Sequence, residues 1–183
     1  MIQDYILEIR KFFPSSLCEK IISYYDDNNL VDATTVGGMN KEVRNCISKN
    51  ILQPKSFGQK IVQNIVEEKL WQAMDVYKEK FPYSNISKFS TIDFLKYEHN
   101  TYKAGYKFHT DMGATVPLRQ LSISVCLNND FEGGEFVFDF PKNKVQFPQN
   151  IGDTIIFPSN FMYPHQVNQI TKGTRYALIG WFV

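Results

Sequence analysis

Two of the three histidines of this chain lie in sequence settings that suit a metal ion. His109 and Asp111 form a His-x-Asp pair, and His165 follows much later in the chain. Two neutral imidazoles and one carboxylate can occupy one face of a six-coordinate ion and leave the opposite positions open, which is how non-haem Fe(II) sites bind a cosubstrate and oxygen. A lone His-x-Asp pair often arises by chance, and a lone histidine is more often a surface or core residue. In this order, and followed by an arginine, the set is far more specific and predicts a metal site.

Arg175, the arginine that follows His165, has a separate predicted task. A planar guanidinium is the natural partner for a carboxylate bound through both of its oxygens. His109 and Asp111 can reach one ion if they end a strand, because residues i and i+2 of a strand point to the same side. His165 must then come from a distant strand that folds back alongside the first.

The composition is typical of one globular domain without a charged interaction surface. With 183 residues, 43% of them hydrophobic and 15% aromatic, the chain can bury a sizeable β-rich core. The formal net charge is +1 and the lysines are scattered, so we expect no nucleic-acid partner and no membrane association. Cys18, Cys46 and Cys126 form no CxxC pair, and we recognise neither a signal peptide nor a membrane-spanning run. A cytoplasmic location with free thiols is therefore expected.

The first part of the chain, about residues 14–82, is predicted to supply helical support. A short strand within residues 2–12 precedes a helix with Ser15 or Ser16 as its N-cap, which ends at the polar cluster 26–29. The clearest helix covers residues 57–81 and is stopped by Pro82. The predicted buried faces consist of Leu17, Ile21, Ile22 and Tyr25 in the first helix, and of Ile61, Ile65, Val66, Lys69, Leu70, Ala73, Met74 and Tyr77 in the second.

Residues 30–50, between the two helices, are polar and include Gly37 and Gly38. They indicate an irregular loop or a weak strand, and such a segment next to a catalytic barrel is a candidate lid. Arg44 lies in this segment. It is interpreted either as a surface charge or as a residue that contacts substrate.

From Thr91 onward the hydrophobic period changes to that of strands, and residues 121–127 alternate cleanly between apolar and polar. Gly133-Gly134 and Gly152-Asp153 separate further short strand-like runs. Six to eight short strands after two helices predict an α+β fold. Its core, about residues 90–183, would be a double-stranded β-helix (jelly-roll), with the N-terminal helices backing one sheet. We expect residues 1–183 to form a single domain.

These motifs together resemble the Fe(II)/2-oxoglutarate-dependent oxygenases, and within them the prolyl 4-hydroxylase family. The resemblance is close over about residues 90–183, and the segment 13–25 resembles the leading helix of that group. The matching stretches are 106–111, 126–135, 164–167 and 174–178, together with Trp181.

The resemblance implies a complete cofactor site. Fe(II) would be bound by His109, Asp111 and His165, and Arg175 would pair with the distal carboxylate of 2-oxoglutarate. Tyr97 lies where the family places a tyrosine that hydrogen-bonds the cosubstrate. O2 would be the second cosubstrate, and a requirement for ascorbate is left open.

The resemblance also implies where a substrate would bind. Arg119 and Trp181 match an arginine and a tryptophan that contact the substrate proline segment in the oxygen-sensing prolyl hydroxylases, and Tyr106 matches a pocket tyrosine. Each could instead be structural. Trp181 could close the core, and Arg119 could be a charge on the rim.

One departure from the family concerns Cys126, which stands where the oxygen-sensing enzymes have a tyrosine that reaches the cosubstrate carboxylate. A thiol is a poor hydrogen-bond donor. Another hydroxyl, either Ser124 or Thr154, would have to replace it, or affinity for the cosubstrate would be lower.

The implied activity is hydroxylation of prolyl residues in a peptide or protein, with release of succinate and CO2. Alternatives are hydroxylation of a free amino acid, a small metabolite or another protein side chain. From a different class, a jelly-roll module could bind metal without turnover, although such a module has no use for Arg175. A monomer or weak dimer is expected.

Overall fold

A computed structural model describes residues 1–27, 29–35, 38–147 and 149–183. Two antiparallel sheets face each other, and two helices pack on the outer face of the larger sheet. The helices are α1 (Ser15–Tyr25) and α2 (Phe57–Lys80), preceded by a 3-10 turn at Ile2–Tyr5. The strands are β1 (Leu7–Ile9), β2 (Val31–Asp32), β3 (Arg44–Asn45), β4 (Ile47–Asn50), β5 (Phe89–Glu98), β6 (Gly105–His109), β7 (Leu121–Cys126), β8 (Glu132–Gly133), β9 (Phe136–Phe140), β10 (Asn143–Phe147), β11 (Thr154–Pro158), β12 (His165–Val167), β13 (Ile170–Lys172) and β14 (Thr174–Phe182).

The sheet order is that of a jelly-roll. The large sheet runs β1-β11-β7-β14-β5-β4-β2, the second runs β10-β9-β12-β6-β3, and β13 pairs with β8 at one end. Apart from the pairs β4-β5 and β9-β10, the strands that pair are not consecutive in the chain, so strands far apart in the sequence lie side by side. This confirms the predicted α+β fold with a jelly-roll core and helices on one sheet.

Strand alternation divides the buried side chains into two layers. Along β7, Ile123 and Val125 face the helices, whereas Ser122 and Ser124 face the space between the sheets. The layer between the sheets is rich in aromatic rings, such as Phe138 and Phe157 at 4.9 Å. Polar side chains in this inner layer need partners or ligands, because an unpaired buried polar group is costly.

Helix α1 differs in detail from the prediction. Its N-cap is Pro14, so Ser15 and Ser16 lie inside the first turn and the predicted serine cap is wrong. Proline is suited to a helix start because its fixed φ is compatible with that position and its missing N–H is not needed there. Ile21 and Tyr25 are buried as predicted, but Cys18 is buried more deeply than Leu17. The helix ends before Asp26, and Asn28 of the predicted stop cluster lies outside the described residues.

Helix α2 has nearly the predicted bounds, but its buried face was predicted wrongly at two isoleucines. Ile61 and Ile65 are 45% and 38% exposed, and Lys69 is only partly buried. Each isoleucine lies about 100° around the helix from the buried face, whose residues recur every three or four positions. That face consists of Val62, Val66, Leu70, Ala73, Met74 and Tyr77.

The segment 30–50 joins the sheets through three short strands, β2, β3 and β4, whereas its described residues between β2 and β3 lie outside any strand. β4 pairs with β5 in the large sheet, and β3 pairs with β6 in the second sheet, so the weak-strand alternative is the correct one there. The β3 pairing places Arg44 opposite Tyr106. Gly37 lies outside the described residues, and a lid role for this segment stays a prediction.

Among the residues that the structure describes, neither helix is both long and apolar enough to cross a membrane.

Candidate metal centre

The two predicted histidine ligands meet because their strands are neighbours. His109 is the last residue of β6, His165 is the first of β12, and the two are directly opposite each other in the antiparallel ladder. Asp111 lies just beyond the end of β6, in the following bend. Its carboxylate oxygens are 3.5 Å from His109 Nε2 and 3.6 Å from His165 Nε2. One ligand atom from each of the three residues lies within 4.8 Å of the others, so they can share one ion.

Backbone carbonyls orient both imidazoles. His109 Nδ1 lies 2.9 Å from the carbonyl oxygen of Lys107, and His165 Nδ1 lies 3.0 Å from that of Tyr163. A carbonyl oxygen only accepts, so each Nδ1 carries the proton and each Nε2 keeps its lone pair toward Asp111. This is the arrangement by which a second hydrogen bond fixes the tautomer of a metal-binding histidine.

The rings of both histidines are held by aromatic neighbours. The Tyr106 ring stacks on His109 with centroids 3.4 Å apart, and the Phe136 ring stacks on His165 at 5.1 Å. Neither imidazole can tilt without displacing a packed ring. The metal-facing nitrogens are therefore positioned before any ion binds.

The charges at the three residues also suit a divalent cation. Burial, followed by the nearby His109, lowers the pKa of His165 to about 4, so this imidazole is neutral near pH 7. Burial alone would raise the pKa of Asp111, but His165, His109 and the Ser122 hydroxyl together hold it well below its usual range. Ser122 Oγ donates to Asp111 Oδ2 at 2.6 Å. Two imidazoles and a carboxylate form a donor set that fits Fe(II).

Arg175 lies beside this centre and is 1% exposed. It pairs with Tyr97 across β14 and β5, and its guanidinium lies 5.5 Å from the centre of the Tyr97 ring. Nη2 donates to the side-chain oxygen of Gln149, but Nε has no acceptor among the described residues. No carboxylate of these residues lies within ion-pair distance of it. A buried cation without a counter-ion is unfavourable unless a ligand supplies one.

A family comparison matches this half of the chain. Residues 93–183 fit the model of the 2OG-Fe(II) oxygenase superfamily. The chain belongs to this superfamily. Fe(II) as cofactor, with 2-oxoglutarate and O2 as cosubstrates, agrees with the donor set and with the buried Arg175, which has no carboxylate partner among the described residues.

Curated relatives of this oxygenase are named PKHD-type hydroxylases. One from Crocosphaera subtropica is 24% identical over 96% of this chain and 77% of its own length. Another, from Idiomarina loihiensis, is 39% identical over 39% of this chain and 29% of its own length. The chain thus matches less than a third of the length of the second relative.

Solved prolyl hydroxylases share the fold of this oxygenase. An enzyme from Trichoplax adhaerens gives a TM-score of 0.79 at 17% identity, covering 97% of this chain and 82% of that one. An enzyme from Pseudomonas putida gives 0.77 at 17% identity, covering 97% and 91%. These similarities support the jelly-roll assignment, and at such identity they show the fold alone.

The other residues predicted for this oxygenase gather around the same centre. Tyr97 and Ser124 line the cavity next to Arg175 and the metal ligands. Arg119 lies over the Trp181 ring, with its guanidinium carbon 3.8 Å from the ring centre, and Nη1 donates to the carbonyl oxygen of Asp111 at 3.3 Å. Arg44 lies 4.9 Å from the centre of the Tyr106 ring. All ten predicted site residues thus line two adjoining cavities, and their individual roles stay predictions.

Of the two hydroxyls considered as replacements at Cys126, only Ser124 lines the cavity. Thr154 pairs with Val125, whose side chain faces the helices, and its hydroxyl donates to the carbonyl oxygen of Gly152 at 3.4 Å. The Thr154 alternative is therefore wrong. The Cys126 thiol is buried and donates to the carbonyl oxygen of Asn128 at 3.1 Å.

Three residues of the site were missed in the sequence. Ser122 could have been found, because it shares the inward row of β7 with Ser124. Asp93 could also have been found, since it lies two residues from Leu95 and four from Tyr97 along β5, on the same face. Gln149 lies outside any strand, and no periodicity indicates its contact with Arg175.

Proposed function

We propose that this oxygenase hydroxylates prolyl residues of a peptide or protein and converts 2-oxoglutarate and O2 to succinate and CO2. The observation that carries the proposal is the buried Arg175, which has no counter-ion among the described residues, beside a preformed His-Asp-His set. The names of the relatives support a hydroxylase. The prolyl substrate is supported by the fold neighbours, one of which is described in complex with a peptide fragment of hypoxia inducible factor.

Three protein ligands would leave the remaining positions of a six-coordinate ion to the cosubstrates. His109, Asp111 and His165 would hold Fe(II) from one side, where β6 and β12 meet. When bound, Fe(II) with 2-oxoglutarate and O2 supplies the oxidising power that converts a C–H bond to C–OH. The Ser122 hydroxyl holds one Asp111 oxygen, which keeps the carboxylate in its place at the ion.

Arg175 would orient the cosubstrate. Its guanidinium can donate two parallel hydrogen bonds to the distal carboxylate of 2-oxoglutarate, a pairing that fixes direction as well as position. Such a ligand would provide the counter-ion that the described residues do not provide. Tyr97 and Ser124 offer hydroxyl groups on the same cavity wall.

Apolar walls would exclude water from the reaction. Leu95, Phe136, Val167, Ala177 and Ile179 line the cavity together with the polar residues. A dry cavity strengthens each charge interaction inside it and limits side reactions. The same need to bind a carboxylate argues against a jelly-roll that binds metal only, which has no use for Arg175.

The first test measures ligand binding without turnover. Mn(II) is used in place of Fe(II), and 2-oxoglutarate should raise the melting temperature further only when Mn(II) is present. Arg175→Ala should weaken 2-oxoglutarate binding at least tenfold and leave Mn(II) binding nearly unchanged. Arg10→Ala is the matched control, because the Arg10 side chain is 53% exposed and does not line the cavity. Equal loss of metal and 2-oxoglutarate binding would contradict the role of Arg175.

The second test addresses the substrate. Succinate formation is measured with Fe(II), 2-oxoglutarate and ascorbate, with and without a set of proline-containing peptides. Stimulated turnover with a mass gain of one oxygen on proline is the expected result. Turnover that no peptide stimulates would agree with an oxygenase but would refute the proposal of a prolyl substrate.

A further inference from the structure

The open end of the site is a second cavity of about 350 Å³ that adjoins the metal ligands. Its walls include Asp93, Arg44, Arg119 and Trp181, and Asp111 lies at its inner end. This cavity shares Arg44, Tyr106, Asp111 and Trp181 with the cavity at the metal ligands, so a substrate that fills it lies next to the metal centre. Its polar groups then determine what such a substrate has to present.

Three residues that line this cavity each have a buried hydrogen-bond donor without an acceptor among the described residues. Arg44 Nε, Arg119 Nε and Trp181 Nε1 are buried and have no partner among the described residues. Arg119 is held in place by its contact with the Trp181 ring and its bond to the Asp111 carbonyl. A buried donor without an acceptor costs about 1–3 kcal/mol, so these groups are suited to carbonyl oxygens of a ligand.

Asp93 offers a hydrogen-bond acceptor in the same cavity. It lies in the inward row of β5 with Leu95 and Tyr97, and it is half-buried. Thr91 Oγ1 donates to Asp93 Oδ1 at 2.9 Å. Among the described residues, no group donates to Oδ2 and no cation lies within 4.0 Å of the carboxylate. One carboxylate oxygen is thus available to a ligand.

A ligand that satisfies both kinds of group must offer an N–H donor and carbonyl acceptors. Arg44 and Arg119 balance Asp93 and Asp111 on these walls, so the cavity does not favour a strongly charged substrate. A neutral peptide backbone fits, because each ordinary residue carries one N–H and one C=O. Proline has no N–H, so the donor must come from a residue that flanks it.

We infer that Asp93 is a specificity-determining residue that accepts a backbone N–H next to the target prolyl residue, while Arg119 and Trp181 donate to a neighbouring carbonyl. This inference rests on the proposed function and adds a requirement to it. A proline flanked by residues without an N–H is a poor substrate. Asp93 recognises the main chain, so the backbone N–H of the flanking residue matters more than the identity of its side chain.

The test uses a capped glycine-alanine-proline-alanine-glycine peptide and two variants with N-methylalanine before or after the proline. Binding is measured by calorimetry to protein loaded with Mn(II) and 2-oxoglutarate, after 2-oxoglutarate binding itself has been established. Wild-type protein should bind at least one methylated peptide about tenfold to a hundredfold more weakly than the parent, the range for hydrogen bonds to charged groups.

The decisive result is the coupling between the protein and peptide changes. Asp93→Ala should bind the parent peptide more weakly than wild type by a similar factor. The variant should bind the parent peptide and that methylated peptide equally well. Asp93→Asn keeps the shape and one oxygen acceptor, and should restore part of the discrimination. Asp75→Ala, at an exposed position on α2, is the control and should behave as wild type.

Several outcomes would overturn the inference. These are wild-type protein that does not discriminate, discrimination that persists in Asp93→Ala, and tighter binding of free L-proline than of the parent peptide. Loaded protein that binds none of the peptides would also refute it. A failure to bind 2-oxoglutarate at the first step would instead refute the proposed function.

Discussion

His109 and His165 are directly opposite each other in the ladder between β6 and β12, and their ring centres are 4.2 Å apart. Two ligands that are distant in the chain are therefore neighbours in one sheet. A metal ion bound there connects two strands of the second sheet and the bend that holds Asp111. Metal binding and stability of this sheet must be linked.

Metal addition should raise the melting temperature, and His165→Ala should abolish the effect. Mn(II) at a hundred times its dissociation constant adds about 2.7 kcal/mol of stability to a protein that binds it only when folded. Differential scanning calorimetry with and without EDTA measures this. His99→Ala is the matched control, because His99 is exposed and not among the three clustered ligands. An unchanged metal response in His165→Ala would contradict the assigned site.

Ser122→Ala should weaken metal binding without abolishing it. The Ser122 hydroxyl holds Asp111 Oδ2 at 2.6 Å and also contacts the Ser159 hydroxyl at 2.8 Å. Loss of such a partner typically costs about 10–100-fold in metal affinity. Mn(II) titration by calorimetry checks the size of the effect, with the exposed Ser23→Ala as control. An affinity equal to that of wild type would show that Asp111 is held by other contacts.

The stability of the metal-free protein should rise with pH between about 4 and 6.5. Burial lowers the pKa of His165 to about 4 from its usual 6.5, so the unfolded chain binds the proton more tightly across this window. Protonation therefore favours the unfolded state as the pH falls, at a cost approaching about 3 kcal/mol below pH 4. Urea unfolding in EDTA measures the slope. His165→Gln should flatten it, and an equal slope in that variant would assign the effect to other groups.

Much of the fold and the metal set could be predicted from the sequence, because both depend on strong local signals. Period-2 alternation identifies strands such as β7, and His109, Asp111, His165 and Arg175 have a specific order. The class of the fold follows from strand number and from the position of the helices.

The details that failed depend on tertiary context. Ile61 and Val62 are equally apolar, so only packing against the sheet decides which one is buried. β3 and β4 are too short and polar for periodicity, and they are strands because neighbouring strands offer them an edge. Thr154 and Ser124 have similar side chains, and only their register shows that they face opposite layers.

Gly134→Ala should impair 2-oxoglutarate binding more than it impairs metal binding. Gly134 has φ +69°, and an added Cβ would clash with the Ile170 side chain and lie 2.9 Å from Arg175 Cδ. The substitution thus strains the backbone by about 1–2 kcal/mol and pushes the guanidinium out of position. Titration of 2-oxoglutarate into Mn(II)-loaded protein measures the effect. Gly113→Ala, where nothing lies within 4 Å of the added Cβ, is the control. Parallel losses of both ligands would indicate general destabilisation instead.

Arg175→Met should leave the ligand-free protein as stable as wild type or make it more stable by about 1 kcal/mol or more, although it removes the largest fully buried side chain. Arg175 is a buried cation that has only the Gln149 side chain as a polar partner at Nη2 and none at Nε among the described residues. A hydrophobic residue of similar length removes that unpaired charge, and such replacements of buried charges are often neutral or stabilising.

Urea unfolding of the two proteins without ligand measures this difference in stability. With Mn(II) and 2-oxoglutarate the order should reverse, because only wild-type protein gains the stabilisation that comes from binding the carboxylate. Arg175→Lys keeps the charge but not the planar fork. This variant should lose most of the stabilisation that ligand binding gives, and without ligand it should not gain the stability expected of Arg175→Met. If Arg175→Met were several kcal/mol less stable than wild type without ligand, the arginine would be a structural residue of the sheet. Its position at the metal centre would then no longer support a carboxylate-binding role.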